Sequence, residues 1–247
     1  FSKCDKSRIG VCIGSCLGNV DSLDRYYSDP SVPASTLLDQ PHCVPAQYIC
    51  NKYELEGVCS TVDTACASGT NSIGFAYEWI KLGKADLFLA GGVDPFTRLS
   101  QSGFGGLMSL STTCLKAFSK DRDGLILGEA GVLFVVEELS HALRRNARIY
   151  AEICGFGLSN DAYHETKPDP EGGGAIRAME KALRQGNIQS EQVDYINAHG
   201  TGTPFNDAME IKAIANLITG NGFYVSSIKP MVGHCLGASG SINFAST

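Results

Sequence analysis

The 247-residue sequence predicts an α/β protein with layered, largely parallel sheets. Two observations carry that expectation. Short apolar runs alternate with segments of helical period, and several of those runs end on glycine or on a turn of small residues. The alternation continues across 1–247 without a repeat, a low-complexity stretch or a composition shift marking a linker, so a single domain is expected.

Residues 8–14, RIGVCIG, are the first expected strand, buried and closing on glycine. The polar stretch 19–47 holds Pro30, Pro33, Pro41 and Pro45, which predicts a long connection with at most short helices. A second strand is expected over 58–63. Ile73, Ala76, Tyr77 and Ile80 then recur at three- and four-residue steps, the mark of an amphipathic helix over 67–82 stopped by Gly83. ADLFLAG at 85–91 is an expected buried strand, which makes the run a βαβ crossover of right-handed sense. Residues 125–138 hold two apolar runs around a Gly128–Gly131 break, followed by a short helix through Arg145. Alternation over 149–158 predicts another strand. A helix over 174–184, a strand over 193–198, a helix over 207–218 and a strand over 223–228 complete the series.

Composition excludes several classes of function. The chain is 43% hydrophobic and 19% charged, an ordinary globular balance, and its net charge of −6 comes without a basic run. Nucleic acid is therefore not an expected partner, and an acidic protein partner would need a local basic patch. No stretch approaches the ~20 apolar residues of a membrane span, so no membrane partner is expected. FSKCDKSRIG at the start lacks the apolar core of a signal peptide. The ten cysteines are scattered, with no CxxC pair, and Cys12–Cys16 alone is a weak metal signal. Most are expected to be small apolar core residues in a reducing compartment, the cytoplasm.

Three clusters carry candidate chemistry, each following an expected strand. In DTACASG (63–69), Cys66 lies between a strand and a helix start among small residues. That arrangement suits a nucleophile elbow, with helix N–H groups favouring thiolate and able to hold an oxyanion. Taken alone, the segment reads equally as a buried structural cysteine. NAHGTGTP (197–204) puts His199 at a strand end entering a glycine–threonine turn, where α/β proteins place their sites, though a turn histidine bonded to backbone fits as well. KPMVGHCLGASG (229–240) presents His234 among glycines, with Lys229 five residues earlier; a solvated loop lysine is the plain alternative. One thiol, two imidazoles and one ammonium suit acyl transfer through a covalent thioester.

These three motifs, in order, resemble the Cys-His-His signature of β-ketoacyl synthases. FSKDRDGLILGEAG (118–131) and GFGLSNDAYHETKPDP (155–170) are similar to the elongating enzymes of bacterial fatty acid synthesis. Thiolases share a GHxxGASG-like segment, but the HGTGTP histidine belongs to the synthases. The resemblance implies a thiolase-like layered αβαβα fold, incomplete over these residues. It implies that Cys66 accepts an acyl chain from the phosphopantetheine of an acyl carrier protein. A malonyl thioester then loses carbon dioxide, and its enolate attacks the acyl-cysteine. His199 and His234 would stabilise the enolate oxygen, Lys229 would support the pair, and Thr201 and Thr203 would hydrogen-bond the pantetheine arm. No cofactor and no metal is implied, because decarboxylation itself generates the carbanion. A homodimer is implied as well.

The sequence also departs from the family pattern. Asn243, in GASGSINF, stands where a glutamate is usual, which takes a carboxylate away from Lys229. The family's opening strand and its C-terminal glycine-rich gating loop find no match, so the segment alone is expected to be inactive. STTCLKAF (111–118) is shorter than in housekeeping enzymes and similar to synthases of aryl polyene and related secondary pathways. Asp121, Arg122 and Asp123 are expected to form a structural turn and ion pair. Asp161 and His164 suit either the mouth of the pantetheine tunnel or the bracing of their own loop, and His42 and His141 show no convergent partners. Two further functions stand beside condensation. One is a non-catalytic, chain-length-type partner subunit, against which Cys66 and both histidines count; the other is a thiolase-type CoA enzyme, against which HGTGTP counts.

Overall fold

The structure is a computed structural model that describes residues 4–219 and 222–247; Phe1, Ser2, Lys3, Gly220 and Asn221 lie outside the described residues. In chain order the main elements begin with β1 (Ile9–Gly14), α1 (Asp21–Ser28), α2 (Val44–Tyr53), β2 (Cys59–Val62) and α3 (Ser68–Lys81). They continue with β3 (Leu87–Asp94), α4 (Arg98–Gly106), β4 (Ala130–Glu137), α5 (Leu139–Arg144) and α6 (Gly173–Gly186). The last are β5 (Tyr195–Asn197), α7 (Pro204–Leu217), β6 (Tyr224–Ser226), α8 (Lys229–Val232) and α9 (Ser239–Ser246). The chain divides into two compact units. One takes Phe1–Gly103, Gly128–Ala151 and Cys235–Ala245, and the other Phe104–Leu127, Glu152–His234 and Ser246–Thr247.

The first unit is built on a four-stranded sheet of order β2-β1-β3-β4. β1 pairs in parallel with both β2 and β3, so the β2–α3–β3 crossover passes over β1. β1 is buried along its whole length, as an apolar run of that kind requires. Its odd residues Ile9, Val11 and Ile13 join Leu87, Ala46 and Leu55 in one core cluster, with Ile49 and Cys50 of α2 packed against it. The opposite face meets α3. There Phe88 stacks on Trp79 with centroids 5.4 Å apart, and a Cβ on Gly10 would fall 2.2 Å from the Phe88 ring. Gly10 is thus the space the ring fills. Phe88→Ala is expected to destabilise the full-length protein by about 3–5 kcal/mol, read from urea unfolding, because a fully buried ring leaves a cavity.

Two expectations need correction here. The sheet is not parallel throughout: β4 runs antiparallel to β3, in register from Leu87↔Glu137 to Asp94↔Ala130. Apolar content marked 125–138 as strand but carried no information on direction. The apolar outer residues Leu133 and Val135 remain 43% and 50% exposed. The cysteines are not mainly core residues: Cys12 and Cys235 are buried, Cys43, Cys59, Cys114 and Cys154 are exposed, and none of the ten forms a disulfide.

The second unit holds a two-stranded parallel sheet of β5 and β6 with α6 and α7 packed together. Residues 149–158, expected as a strand, form no strand. Their backbone lies directly on α6 instead: a Cβ on Gly155 would fall 2.2 Å from the Ala182 carbonyl oxygen, and one on Gly157 1.8 Å from that of Ala178. Alternating apolar residues fit an extended chain on a helix as well as a ladder. Among the described residues no helix is long and apolar enough to cross a membrane.

Candidate active site

In the first unit the segment after β2 makes the tight turn expected of a nucleophile elbow. Ala65 adopts a left-handed φ of 50°, a conformation costing about 1–3 kcal/mol for a side-chain-bearing residue. A dense set of bonds holds it there. Ser68 Oγ accepts from Thr64 N at 2.9 Å and donates to the Ala65 carbonyl at 2.6 Å. Asn71 Nδ2 donates to Thr64 Oγ1 at 2.8 Å, and Ala65 N donates to Asp63 Oδ1 at 3.2 Å. Cys66 sits half-buried at the turn, two residues before the start of α3. Ser68 and Gly69 are buried, and a Cβ on Gly69 would fall 2.7 Å from the Gly237 carbonyl oxygen. The small residues that flagged this segment are the ones that let the helix start seat closely.

In the second unit β5 and β6 bring the two histidine motifs together. The rings of His199 and His234 stand edge to face with centroids 5.2 Å apart. His234 donates its backbone N–H to the Ile126 carbonyl at 2.7 Å, and Phe104 lies against its ring at 6.5 Å between centroids. Lys229, the first residue of α8, is 1% exposed and its backbone N–H donates to Ser227 Oγ, which itself donates to the Gly200 carbonyl at 3.0 Å. Lys229 is therefore a buried cation and not a solvated loop lysine. Gly200, at φ 44°, has no room for a Cβ, which would fall 2.5 Å from Ser227 Cβ. Thr201 and Thr203 share a hydroxyl hydrogen bond of 2.8 Å, so both Oγ1 atoms face one another.

The electrostatics favour neutral imidazoles. Burial pushes His199 well below its ordinary 6.5, with the Lys229 charge next and His234 adding to it. Burial and then Lys229 bring His234 down to about 3. Each ring is therefore neutral at neutral pH, with one nitrogen a donor and the other an acceptor. A stability consequence follows by linkage. Between 6.5 and about 3 the unfolded chain takes up a proton on His234 that the folded chain refuses. Stability is complete above about pH 6.5 and falls below it, by about 1.4 kcal/mol per pH unit from His234, with His199 adding in the same direction. Urea midpoints of the full-length protein are expected to drop between pH 7.5 and 5.5, above the range where unperturbed carboxylates titrate. His234→Gln should lose part of that drop.

Two acids of this unit escaped the sequence reading. Glu210 accepts the backbone N–H groups of His199 at 2.5 Å and Gly200 at 2.8 Å, pinning the strand end that carries the imidazole. Burial pushes its carboxyl up, those N–H bonds and Lys229 oppose the shift, and Asp207 adds to it. Asp207, 2% exposed, accepts from Phe118 N at 2.7 Å and Gly202 N at 3.2 Å, so it joins the 118 segment to the HGTGTP turn. The available signal was an acidic pair at helical i,i+3 spacing directly after the histidine motif.

The remaining candidates hold local structure. Arg122 donates to the carbonyls of Ser119 and Pro204 and pairs with Asp207 at 3.9 Å, while Asp123 accepts from Ser111 Oγ. The turn is structural, as expected, but its ion pair reaches α7. Asp161 accepts from Asp169 N and His164 Nδ1 accepts from Thr166 N, bonds that brace the loop before α6. His141 bonds Glu137, which also holds Arg145, and His42 Nε2 contacts the Cys16 carbonyl at 3.0 Å.

The first unit thus presents a thiol on an elbow, and the second a neutral imidazole pair beside a buried lysine. Residues 2–142 match the model of the β-ketoacyl synthase N-terminal domain, and 150–247 that of its C-terminal domain. The chain belongs to the β-ketoacyl synthase family. It is 41% identical over 251 residues to a 3-oxoacyl-[acyl-carrier-protein] synthase 2 of Coxiella burnetii, covering 95% of this chain and 60% of that protein. A solved β-ketoacyl synthase from Burkholderia phymatum STM815 superposes with a TM-score of 0.89 at 35% identity, over 96% of this chain and 60% of that one. A type II PKS acyl-carrier protein in complex with its ketosynthase bound to the hexaketide gives 0.93 at 29% identity, over 99% and 65%. The fold is thus the thiolase-like α/β fold of ketosynthases, and the chain spans about 60% of the length of the curated relatives it matches.

Proposed function

We propose that this chain carries the condensing chemistry of a β-ketoacyl synthase acting in fatty acid or polyketide elongation. The observation that supports it best is the His199–His234 pair held neutral beside Lys229. In the first half-reaction Cys66 attacks the thioester of an acyl carrier protein. The S–C bond to the cysteine forms as the carrier thiol leaves with a proton. In the second, the malonyl thioester loses carbon dioxide and leaves its electron pair as an enolate. Negative charge grows on the thioester oxygen at this step, and two N–H donors already desolvated and aimed strengthen as it grows. The enolate carbon then attacks the acyl carbonyl, and Cys66 departs as thiolate. Thr201 and Thr203 offer hydroxyls to the pantetheine arm. The reaction calls for no cofactor, since decarboxylation supplies the carbanion. The solved complex of a ketosynthase with its acyl-carrier protein supports a carrier protein as partner, and the full-length protein is proposed to work as a homodimer in the cytoplasm.

Mass spectrometry of the full-length protein after incubation with an acyl-carrier thioester tests this reading. An acyl adduct on the peptide containing Cys66, discharged as a ketoacyl product when malonyl-carrier is added, is the expected result. A folded protein that forms no adduct would point to a non-catalytic partner subunit.

A further inference from the structure

Asp94 ends β3 at the same edge of the sheet where Gly14 ends β1 and Val62 ends β2. It is 1% exposed, and among the described residues none of the ion pairs includes it. Its charge is met by dipoles instead. Oδ1 accepts from Ser15 Oγ at 2.7 Å, Leu17 N at 3.0 Å and Cys16 N at 3.1 Å. Oδ2 accepts from Cys16 N at 2.9 Å and Gly237 N at 2.6 Å. Consecutive backbone N–H groups of this kind form an anion-binding nest, and here the protein's own carboxylate fills it. Ser15 Oγ also accepts from Gly18 N at 2.9 Å, extending the hold to the next residue of the loop.

The carboxylate therefore ties three separate segments: the loop after β1, the end of β3, and the turn Leu236–Ala238. That turn is under backbone strain, with Leu236 at a left-handed φ of 48°. Its Gly237 carbonyl oxygen lies where a Cβ on Gly69 or on Gly92 would come within 2.7 Å, so the turn rests on the first turn of α3. Gly14 approaches from the other side, its absent Cβ 2.3 Å from the Ser68 carbonyl. Ser68 is the residue that bonds Thr64 and Ala65 just before Cys66 in the elbow.

We propose that Asp94 is a positioning residue for Cys66: by clamping the 15–17 loop and the 236–238 turn to the end of β3, it fixes the seat of α3 and keeps thiol reactivity on Cys66 and off its neighbour Cys16. The proposal rests on the functional reading above for its kinetic consequence, but not for its chemical one. Cys16 lies close enough to Cys66 for each to feel the other's charge, and burial followed by Asp94 pushes the Cys16 thiol up to about 12. The carboxylate thus serves both ends: it orders the reactive turn and keeps the neighbouring sulfur protonated.

The test uses Asp94→Asn and Ser15→Ala in the full-length protein. The amide is nearly isosteric but must turn its NH2 toward an N–H of the nest or of Gly237. In Asp94→Asn, single-turnover acylation of Cys66 is expected to slow by about 10- to 100-fold with the half-saturating carrier concentration held within about two-fold. Iodoacetamide labelling at pH 8, quantified by peptide mass spectrometry, should shift several-fold from Cys66 toward Cys16. Ser15→Ala, which removes one donor and no charge, should slow acylation less and shift labelling less. Unchanged labelling ratio and unchanged acylation in folded Asp94→Asn would overturn the proposal. If that variant does not fold, an unchanged labelling ratio and rate in Ser15→Ala would do so. Labelling needs no substrate, so a wild type that forms no acyl adduct defeats the functional reading while leaving the ratio to judge Asp94.

Discussion

The Cys66→Ala variant of the full-length protein is expected to form no acyl adduct and to lose condensation by about 10⁴-fold or more, while still releasing carbon dioxide from a malonyl-carrier thioester. In the proposed mechanism the two half-reactions draw on different residues. Acyl transfer needs a nucleophilic sulfur at the elbow, and alanine keeps the turn intact, since Ala65, Cys66 and Ala67 contribute backbone and the bonds that hold it run through Thr64, Ser68 and Asn71. Decarboxylation needs donors at the enolate oxygen, the part proposed for the imidazoles of the second unit. Carbon dioxide release followed separately from acyl adduct formation checks the split. Loss of both activities in a folded variant would mean that Cys66 also serves decarboxylation.

His234→Ala is expected to give the reverse pattern: Cys66 acylation largely kept, and decarboxylation slowed by about 10²–10³-fold, the usual effect of removing one donor from a developing oxyanion. The substitution spares the backbone bond from His234 N to Ile126, so the strand-end position of the segment survives. Acid should not switch the wild type off through this ring. With His234 lowered to about 3, its neutral form prevails throughout the range in which the fold is stable, and the rate of carbon dioxide release should be flat from pH 8 down to about 5.5. An acidic limb with a midpoint near 6.5 would show instead that the imidazole titrates normally, and would sink the electrostatic role given to it.

Much of this was legible in the sequence because it depends on local rules. The helix over 67–82 and the strands over 8–14, 58–63 and 85–91 emerged within two or three residues of α3, β1, β2 and β3, since hydrophobic period and glycine stops are properties of neighbouring residues. The elbow was readable because tight turns demand small side chains. His199 and His234 were readable because strand ends followed by glycine-rich turns are where such folds place chemistry. The motifs also carried the family, through residue identity and spacing alone.

What tertiary structure decided were the properties that depend on partners far apart in the chain. The direction of β4 is set by which edge of β3 it meets, which no apolar pattern encodes. Residues 149–158 alternate like a strand, yet they form none, and Gly155 and Gly157 rest on α6, because an extended apolar segment takes whichever apolar surface is offered. The burial of both imidazoles, and the charge of the buried Lys229 near them, push the rings down only in the folded chain. Glu210 and Asp207 gain their roles from backbone N–H groups that the fold turns toward them, and Asp94 from two segments 77 and 143 residues away. A sequence shows which side chains are able to act. Desolvation and convergence, which set their charge and their aim, are products of the packed chain.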